Sequence, residues 1–597
     1  MPGDNHREAA KRLVNAARKH REAEQSGQDT QATTEELKQA LDAAKAPLEE
    51  GSKEFLQAAK QEIDAAPSPL ELRAKVAPAA APVAGGETKT NWAGDVVIHP
   101  KSIATPRSLE ELCATVREAT ANKQRVRAFG YGHSYSDILD TTGVLVDLSQ
   151  LVTVDRPPGG VPPSGGLLPR GDELWKDPRP DEARVRIECG ARIAEVNQAL
   201  NKAGLAFGNL GGHVGQTVIG AMATSTHGTG WNLPPLCDIA LSFDLVTSGG
   251  HLVRIEPDDG ITDPMKFIAK YSTSRSLIQN TDVFRAAKVS LGCLGIVYAL
   301  TVKVEGAYLL SETRTMTKWS QLAPKLVANL DQVAGGCRHY NLLINPYSSG
   351  GDPDCVEIIR NKALPGTPIV GRPFKADFSV WAAAEFLDDF TVWIINMAGA
   401  HAIESLVGSA LKSQLFAPVC DWSFRVFDNG YSTNIKPDRD GVSTRIKAIS
   451  NDLIFPADKT VAAIDALLEL IKRNEKNKWL QSSPLSVRFA SQSDAWLSPF
   501  NEGRMVSIEC PQLKGIWNLE DTLHSYEEEL CHGPKGDDLR GRPSWGQKQA
   551  LTSDPKWLRD RYKGFDTFVK VFKELNEGGV FDNSFTDRLG ISVGGAT

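Results

Sequence analysis

Residues 129–137 read FGYGHSYSD and follow the short run RVRA at 125–128. Gly130 and Gly132 match the start of the G-x-G-x-x-G loop of dinucleotide-binding folds, but the third glycine of that pattern would fall at Tyr135. His133 stands at the tip of the turn instead. The stretch YSDILD that follows lacks the character of the helix that receives a pyrophosphate in a nicotinamide-type site. The pattern therefore argues against a Rossmann loop and leaves open what an imidazole does in a glycine turn.

A second glycine-rich stretch, GQTVIGAMATSTHGTG at 215–230, contains mostly Gly, Ala, Ser and Thr. Small residues let the backbone approach a ligand closely and let several N–H groups point at phosphate oxygens. Two such loops in one region of alternating strands and helices predict a dinucleotide site without the usual fingerprint.

Length and composition restrict the class of protein. A chain of 597 residues is too long for one ordinary hydrophobic core, so two or three domains are expected. The net charge of −7 gives no electrostatic reason to expect nucleic acid or an anionic membrane as a partner. Nine scattered cysteines predict neither a disulfide framework nor a zinc site, and we expect no metal. Without an apolar leader or a long apolar run, the sequence predicts an intracellular, cytoplasmic protein with no membrane span.

The residue composition and the predicted secondary structure change several times along the chain. The first 75 residues are charged and helical, with a thin apolar stripe at Leu37, Leu41 and Ala44. This extension is interpreted as a solvated arm, and partner binding or self-association through its helices is the alternative. The segments predicted from composition are an extension at 1–75, an Ala/Pro linker at 76–90, an alternating strand–helix region at 91–306, a mixed region at 307–535 and an aromatic tail at 536–597.

The pair of glycine stretches resembles the FAD-binding domain of the vanillyl-alcohol-oxidase-type flavoproteins, and within that superfamily the aldonolactone (sugar-lactone) and alditol oxidases. The likeness runs from about residue 91 to the C-terminus. Looser matches follow in the expected order: SLGCLGIVY at 290–298, PLSVRFASQSDAWLSP at 484–499, RPSWGQ at 542–547 and GGVFDNSFTDRLG at 578–590.

The resemblance implies an α+β fold with a two-part, PCMH-type FAD-binding domain. Residues 91–306 would form its first part, and residues 536–597 would return to cover the flavin. Residues 307–535 would form an inserted α/β substrate-binding (cap) domain, preceded in the chain by the N-terminal helical extension.

In relatives with G-x-G-H-S, the histidine is bonded to the 8α-methyl carbon of the flavin, so His133 is the expected attachment point of a covalent FAD. A non-covalent flavin beside the same side chain is the alternative. His227 could contact the cofactor or serve only as a structural hydrogen-bonding residue. The further cofactor contacts implied by the resemblance are Gly130, Tyr131, Gly132, Ser134, Tyr135, Gly211, Gln216, Thr217, Gly220, Ala221, Thr224, Gly228, Gly295 and Ile296.

The implied reaction is oxidation of a CH–OH group of a polyol, sugar or sugar lactone, with hydride transfer to the flavin and reduction of O2 to H2O2. Arg488 is the candidate cation beside the reacting alcohol. Relatives carry Glu-x-Arg on this strand, but this chain has Ser486, whose hydroxyl cannot act as the same base. Relatives also carry His-Trp-Gly-Lys near the C-terminus, where this chain has Ser544 and ends the motif in Gln547, with Lys548 one place later. The identity of the catalytic base stays open among these residues.

Gly211 aligns with a position at which, in this superfamily, a small residue opens a path for dioxygen. That favours an oxidase over a dehydrogenase. Three alternatives remain: the same fold acting on a larger apolar alcohol such as a sterol or aromatic alcohol, an FAD-dependent dehydrogenase that uses another acceptor, and a flavin-binding scaffold with weakened catalysis.

Overall fold

The structure is a computed structural model. It describes residues 8–9, 11–16, 19–20, 23, 31–50, 88–152, 174, 176, 183–271, 275–347, 350–364, 366–367, 395–396, 398–404, 422–428, 447–550 and 554–595. Most of the predicted linker at 76–90 and the last third of the predicted N-terminal extension, residues 51–75, lie outside the described residues.

The N-terminal region contributes helix α1 (Gln31–Glu50). Its apolar side chains Leu37, Leu41 and Ala44 are buried, and they join Leu13 in the same hydrophobic cluster as the largest sheet of the molecule. The thin stripe that suggested a partner-binding arm is therefore covered within this chain.

The next elements form a small parallel sheet. Ser102–Ala104 and Val144–Asp147 pair in parallel, as do Val144–Asp147 and Val126–Phe129. The elements in chain order are β1 (Lys89–Thr90), β2 (Val97–Ile98), β3 (Ser102–Ala104), α2 (Leu109–Ala121), β4 (Val126–Phe129) and β5 (Val144–Asp147). Residues 108–111, SLEE, have the Ser-x-x-Glu pattern that predicts a helix start, and Ser108 caps helix α2 by accepting the Glu111 N–H at 3.2 Å. The FGYGHS loop leaves the carboxyl end of β4.

A second, mostly antiparallel sheet lies beside the first, with strand order β10-β9-β8-β11-β6 and β7 paired to β11. Its elements in chain order are β6 (Ala183–Glu188), α3 (Ile193–Lys202), β7 (Leu205–Ala206), α4 (Val218–Ala223), β8 (Ala240–Thr247), β9 (His251–Glu256), α5 (Pro264–Tyr271), β10 (Ser276–Gln279), α6 (Thr281–Lys288) and β11 (Ile296–Gly306). Helix α4 lies inside the second glycine-rich stretch. Thr217 caps it by accepting the Gly220 N–H at 3.1 Å.

The third sheet has eight strands, all antiparallel, in the order β15-β12-β14-β13-β17-β18-β16-β19. Its elements in chain order are β12 (Leu309–Lys318), α7 (Trp319–Gly335), β13 (His339–Ile344), β14 (Asp354–Lys362), β15 (Trp422–Asp428), β16 (Ala448–Pro456), α8 (Thr460–Asn474), β17 (Leu485–Ala490), β18 (Met505–Leu513), α9 (Leu519–Cys531), α10 (Gly533–Leu539) and β19 (Arg542–Pro543).

Alternation along the central strands gives this sheet two unlike faces. Leu485, Val487 and Ile508 lie in the hydrophobic cluster that also contains residues of α7, α8 and α9. The intervening side chains, Ser486 and Arg488 among them, project to the opposite face. That face is turned toward the first part of the chain, because Asp452, which projects from it, bonds through its side chain to His227.

The C-terminal segment packs against the first two sheets. Its helices are α11 (Pro555–Arg561), α12 (Phe565–Leu575) and α13 (Ser584–Arg588). The Val126 N–H donates to Val580 O at 2.7 Å, and the Tyr135 N–H donates to Gly546 O at 2.9 Å. Trp545 is fully buried in the same cluster as the residues of the second sheet. Within the ranges described above, no helix has the length and apolar character needed to cross a bilayer.

Candidate active site

A long cleft runs between the FGYGHS loop, helix α4, the 290–297 loop and the 544–547 segment. It encloses about 1060 Å³ of empty space, including the open solvent at its mouth. Twelve of the residues singled out in the sequence line it. They are Gly130, Tyr131, Gly132, His133, Ser134, Gln216, Thr217, Gly220, Ala221, Thr224, Gly295 and Gln547.

The glycines of the first loop allow close backbone packing at the wall of this cleft. A Cβ on Gly130 would stand 2.9 Å from Cγ2 of Thr217, on the opposite glycine-rich stretch. Gly132 has a φ of +66°, and a Cβ there would stand 2.8 Å from the ring of Phe129. Side chains at these positions would push the two stretches apart or strain the turn. The sequence pattern therefore reflects a real steric requirement.

His133 is held in an aromatic cluster at the cleft. Its ring stacks on Trp92 with centroids 5.4 Å apart, and the ring of His213 lies 4.5 Å away. Burial, followed by the neighbouring His213 and Arg192, lowers the pKa of His133 to about 3. The imidazole is therefore neutral at physiological pH and keeps a lone pair on one nitrogen. A Cβ on Gly215 would come within 2.9 Å of Nε2 of His133, so only a glycine at 215 leaves room for the ring in this position.

Two buried amide oxygens in the cleft have no hydrogen-bond partner within the described part of the chain. They are Oε1 of Gln216 and Oε1 of Gln547, and both residues line the cleft. Leaving a buried acceptor unpaired costs about 1–3 kcal/mol, so a ligand with N–H donors would satisfy them. The isoalloxazine and adenine of FAD both carry such donors. The residues present therefore fit FAD.

Arg127 also lines the cleft, although it was not among the predicted site residues. It is buried and donates to the carbonyls of Ile138 at 2.6 Å and Gly292 at 3.0 Å, and to that of Leu291. It thereby ties the first glycine loop to the 290–292 turn, where Leu291 and Gly292 both have positive φ. The alternation of RVRA placed Arg127 on a strand, but its partners come from a distant loop that spacing alone does not reveal.

Several predicted cofactor contacts lie behind the cleft wall. Ile296 is buried in a core cluster between the sheets, and a Cβ on Gly228 would collide with Asn209 and Leu210. Tyr135 joins the wall through its backbone hydrogen bond to Gly546. Gly211 stands behind Thr226, since a Cβ there would meet Thr226 Cγ2 at 3.1 Å. The positions that the structure brings to the cleft are thus fewer than the sequence suggested.

His227 lies next to the cleft-lining Thr226 and connects it to the eight-stranded sheet. Its Nδ1 is 2.8 Å from Gly228 O, and its Nε2 is 3.0 Å from Oδ2 of Asp452 on β16. Both side chains are almost completely buried. Burial raises the pKa of Asp452, but the hydrogen bond and charge of His227, the charge of Arg488 and the Ser507 hydroxyl outweigh it and hold that pKa below its usual range. His227 therefore has a structural partner as well as a place beside the cleft.

Five residues on β16, β17 and β18 form what we call the polar strand face: Asp452, Ser486, Arg488, Ser507 and Glu509. Ser486 pairs with Glu509 across β17 and β18, and Glu509 pairs with Asp452 across β18 and β16. Arg488 forms an ion pair with Glu509, and its Nε donates to Ser486 Oγ at 3.2 Å. The Ser507 hydroxyl donates to Asp452. The polar strand face thus combines two carboxylates, one guanidinium and two hydroxyl groups next to the end of the cleft.

The C-terminal motif divides between the cleft and the surface. Ser544 and Gln547 line the cleft, and the Ser544 N–H donates to Asp452 O at 2.8 Å. Lys548 instead forms ion pairs with Glu520 at 2.9 Å and Asp95 at 3.4 Å. Burial lowers its pKa, but these two carboxylates outweigh that effect and raise it. The structure therefore brings Gln547 to the cleft and directs the Lys548 ammonium elsewhere.

Sequence reasoning missed Trp92, His213 and Glu509. Trp92 stands at the start of the region that begins at 91, and His213 lies just before the second glycine-rich stretch, so neither falls inside a motif. Glu509 lies on a strand without a motif, and its relevance appears only when the register of β17 and β18 is known. Among the described residues, no group of three or more His, Cys, Asp and Glu side chains could hold a metal ion.

Comparisons with known proteins agree with this arrangement. Residues 100–256 match the FAD binding domain family, and residues 300–589 match the D-arabinono-1,4-lactone oxidase family. The chain is 25% identical over 511 residues to the L-gulono-1,4-lactone dehydrogenase of Mycobacterium tuberculosis, covering 84% of this chain and 98% of that protein. It is 24% identical over 506 residues to the L-gulonolactone oxidase of Bos taurus, covering 84% of this chain and 97% of the relative.

Among solved structures, a cholesterol oxidase from B. sterolicum superposes with a TM-score of 0.60 at 13% identity, covering 84% of this chain and 96% of that chain. At that identity the likeness concerns the fold alone, an α+β arrangement with a two-part FAD-binding domain. Together with the two family matches, these findings show that the chain belongs to the vanillyl-alcohol-oxidase-type FAD-linked oxidases, in their aldonolactone and alditol oxidase group.

Proposed function

We propose that this protein is an FAD-dependent oxidase that converts a CH–OH group of a sugar lactone or polyol to a carbonyl, with FAD attached through His133 and O2 as the electron acceptor. The observation that carries the proposal is the cleft itself. A neutral, half-buried histidine, two unpaired amide oxygens and two facing glycine stretches meet in a cleft formed by regions that match the two families.

When bound, FAD supplies the two-electron acceptor for the alcohol. The chain supplies the binding site and the charges around it. Gln216 and Gln547 would offer acceptors to N–H groups of the cofactor. The polar strand face lies beside the same cleft and would orient the hydroxyl groups of the substrate.

Covalent attachment needs a neutral imidazole nitrogen at a fixed position. The low pKa of His133, about 3, keeps the ring neutral throughout the physiological range. Stacking on Trp92 and contact with Gly215 restrict how the ring can turn. These contacts favour His133 as a nucleophile over a histidine that merely lies beside a dissociable flavin.

Acid precipitation tests the attachment. The wild-type protein is denatured in acid, and flavin absorbance is compared between the pellet and the supernatant. We expect the colour to stay with the wild-type pellet and to leave the pellet of His133→Ala. His99→Ala removes an exposed histidine and serves as the matched control, with colour retained. Release of all flavin from the wild type would contradict covalent attachment while leaving FAD binding intact.

A small polar substrate is favoured by the polar strand face. Ser486, Arg488 and Glu509 offer a hydroxyl, a cation and a carboxylate to a molecule with several oxygen atoms. A sterol or aromatic alcohol would desolvate these groups without offering them hydrogen bonds in return. Peroxide formation should therefore be measured with alditols and aldonolactones in parallel with sterols and phenolic alcohols. Turnover of the apolar set alone would contradict this part of the proposal.

The electron acceptor is tested separately, because one relative is named a dehydrogenase and another an oxidase. Gly211 is the small residue that the family resemblance links to O2 access, and a Cβ there would crowd Thr226 in the cleft wall at 3.1 Å. Substrate-reduced protein should be mixed with aerated buffer or, without oxygen, with an artificial quinone. We expect reoxidation by air within the turnover time and equal formation of peroxide. Reoxidation by the quinone alone would establish a dehydrogenase.

An intracellular location is part of the same proposal, supported by the scattered spacing of the nine cysteines. Fractionation of cells that express the full chain tests it.

A further inference from the structure

We propose that Glu509 is the carboxylate that accepts the proton of the substrate hydroxyl, and that it works as a pair with Arg488 on the neighbouring strand. This inference rests on the proposed function. It assigns the base that the change to Ser486 leaves open.

The register of the sheet places the carboxylate next to the vacated position. Ser486 and Glu509 are directly paired residues on β17 and β18, so their side chains project from the same face. Arg488 lies two residues along β17 and bonds to both of them. Compared with the Glu-x-Arg pattern of relatives, the carboxylate thus stands on the neighbouring strand β18, directly opposite position 486, while the arginine remains on β17.

The neighbouring groups on this face are less suited to the task. Asp452 is almost completely buried, and both of its oxygens are engaged, one by His227 and one by Ser507. A hydroxyl such as that of Ser486 is a poor base at neutral pH. Glu509 keeps 19% of its side chain accessible and Arg488 keeps 18%, so both can meet a substrate.

The face also lies where a substrate would have to bind. Asp452, in the same row as Glu509, bonds to His227 and accepts from the Ser544 N–H. Those two partners belong to the segments that form the cleft wall, next to Thr226 and at Ser544 itself. An alcohol bound between the cleft wall and the polar strand face would lie on the side of the sheet from which Glu509 and Arg488 project.

The proposed step balances as follows. The substrate O–H bond breaks, and its proton moves to the Glu509 carboxylate. The C–H bond on the carbon that carries this hydroxyl also breaks, and its hydrogen leaves with the electron pair as hydride for the FAD of the proposed function. The electrons of the broken O–H bond form the C=O bond. Arg488 stabilises the negative charge that develops on the oxygen. Glu509 later returns its proton to solvent.

The first test is Glu509→Gln, which keeps the size and removes the base. Loss of a positioned general base lowers the rate about 10²- to 10⁴-fold, so kcat should fall by that factor with FAD content unchanged. Glu529→Gln is the matched control, because Glu529 is also paired with an arginine, Arg473, but on the outer surface of α9. Full activity of Glu509→Gln would overturn the inference.

A rescue variant separates chemistry from folding. Glu509→Ser alone should lose activity, whereas Ser486→Glu combined with Glu509→Ser moves the carboxylate back across the same rung. Recovery of at least tenfold over the single variant is expected if the carboxylate acts on the substrate. A double variant that is folded, FAD-loaded and as inactive as the single variant would contradict the role.

A third readout does not depend on turnover. Removing the carboxylate leaves Arg488 without its charge partner on Glu509, so an anion that resembles an opened lactone should bind more tightly. Calorimetric titration of the holoenzyme with gluconate should show about tenfold tighter binding to Glu509→Gln than to wild type or Glu529→Gln. Equal affinities would place Glu509 away from the substrate. If wild type oxidises no alcohol, the proposed function fails, whereas an active wild type with an unaffected Glu509→Gln overturns this inference alone.

Discussion

The two ends of the site are built in different ways. The attachment end, formed by Trp92, His133, His213 and Gly215, depends on glycine turns that bring aromatic rings within a few ångströms. The polar strand face has no short motif and depends on the register of three strands. One end tolerates little change in shape, and the other tolerates change in shape but little change in charge. This difference can be tested at each end.

The largest expected effect is on the polar strand face. Arg488→Ala removes the cation that would stabilise developing negative charge, and kcat should fall about 10²- to 10³-fold. FAD content should stay at the wild-type level, because Arg488 does not line the cofactor cleft. Steady-state kinetics and flavin absorbance of the same preparation measure both quantities.

Arg473→Ala is the control for this change, since Arg473 pairs with Glu529 on the surface. Adding guanidinium ions to Arg488→Ala should restore part of the rate. If Arg488→Ala instead lost FAD and kept its rate per bound flavin, the comparison between the two ends would fail.

A steric change should have the next largest effect, at the attachment end. A Cβ on Gly215 would stand 2.7 Å from His213 and 2.9 Å from His133, closer than real Cβ contacts allow. Gly215→Ala should therefore displace the rings, cost about 1–3 kcal/mol of folding free energy and strongly reduce the acid-stable flavin. Thermal unfolding and acid precipitation measure the two effects.

Gly212 provides the matched control three residues earlier. A Cβ there would meet no atom within 4 Å, so Gly212→Ala should keep both the covalent flavin and the melting temperature. Equal behaviour of the two alanine variants would show that crowding around His133 does not govern attachment.

The sequence predicted the attachment end better than the polar strand face, for a physical reason. Gly130, Gly132 and His133 are neighbours in the chain, so the requirement for a close turn can be recognised from a short stretch of sequence. Helix α2 was similarly predictable, because its cap at Ser108 and its apolar spacing are local features.

Contacts between distant segments could not be read in this way. Period-two alternation predicted that Ser486 and Arg488 share a face, but which strand lies beside them is decided by tertiary pairing. The sequence therefore did not identify Glu509 as a candidate site residue. Lys548 was a reasonable candidate by position, and its side chain turns to Asp95 and Glu520. The two family matches support the overall fold.

A smaller effect is expected from pH at the attachment end. The pKa of His133 is lowered to about 3 in the folded protein, first by burial and then by His213 and Arg192. An unfolded histidine has a pKa near 6.5, so below that pH the unfolded chain binds a proton that the folded chain refuses. Stability should fall as the pH drops from about 6.5 toward 3, with a slope of at most about 1.4 kcal/mol per pH unit from this group.

Flavin-free His133→Gln should lose that contribution, so its melting temperature should fall less than that of the flavin-free wild type between pH 7 and pH 5. His99→Gln removes an exposed histidine and should behave like the wild type. Parallel curves for wild type and His133→Gln would mean that the His133 ring takes up its proton as readily in the folded state as in the unfolded chain.

The smallest effect is expected at Lys548, the cation that follows the C-terminal motif. Its ammonium is paired with Glu520 and with the buried Asp95, away from the cleft. Lys548→Met should therefore change kcat per folded, FAD-loaded protein by less than about twofold, measured beside Arg488→Ala. A tenfold loss of kcat would show that a second cation reaches the substrate from the C-terminal segment. The negative charge that develops on the substrate would then be stabilised by Lys548 as well as by Arg488. The pair of Arg488 and Glu509 would no longer be sufficient to explain catalysis.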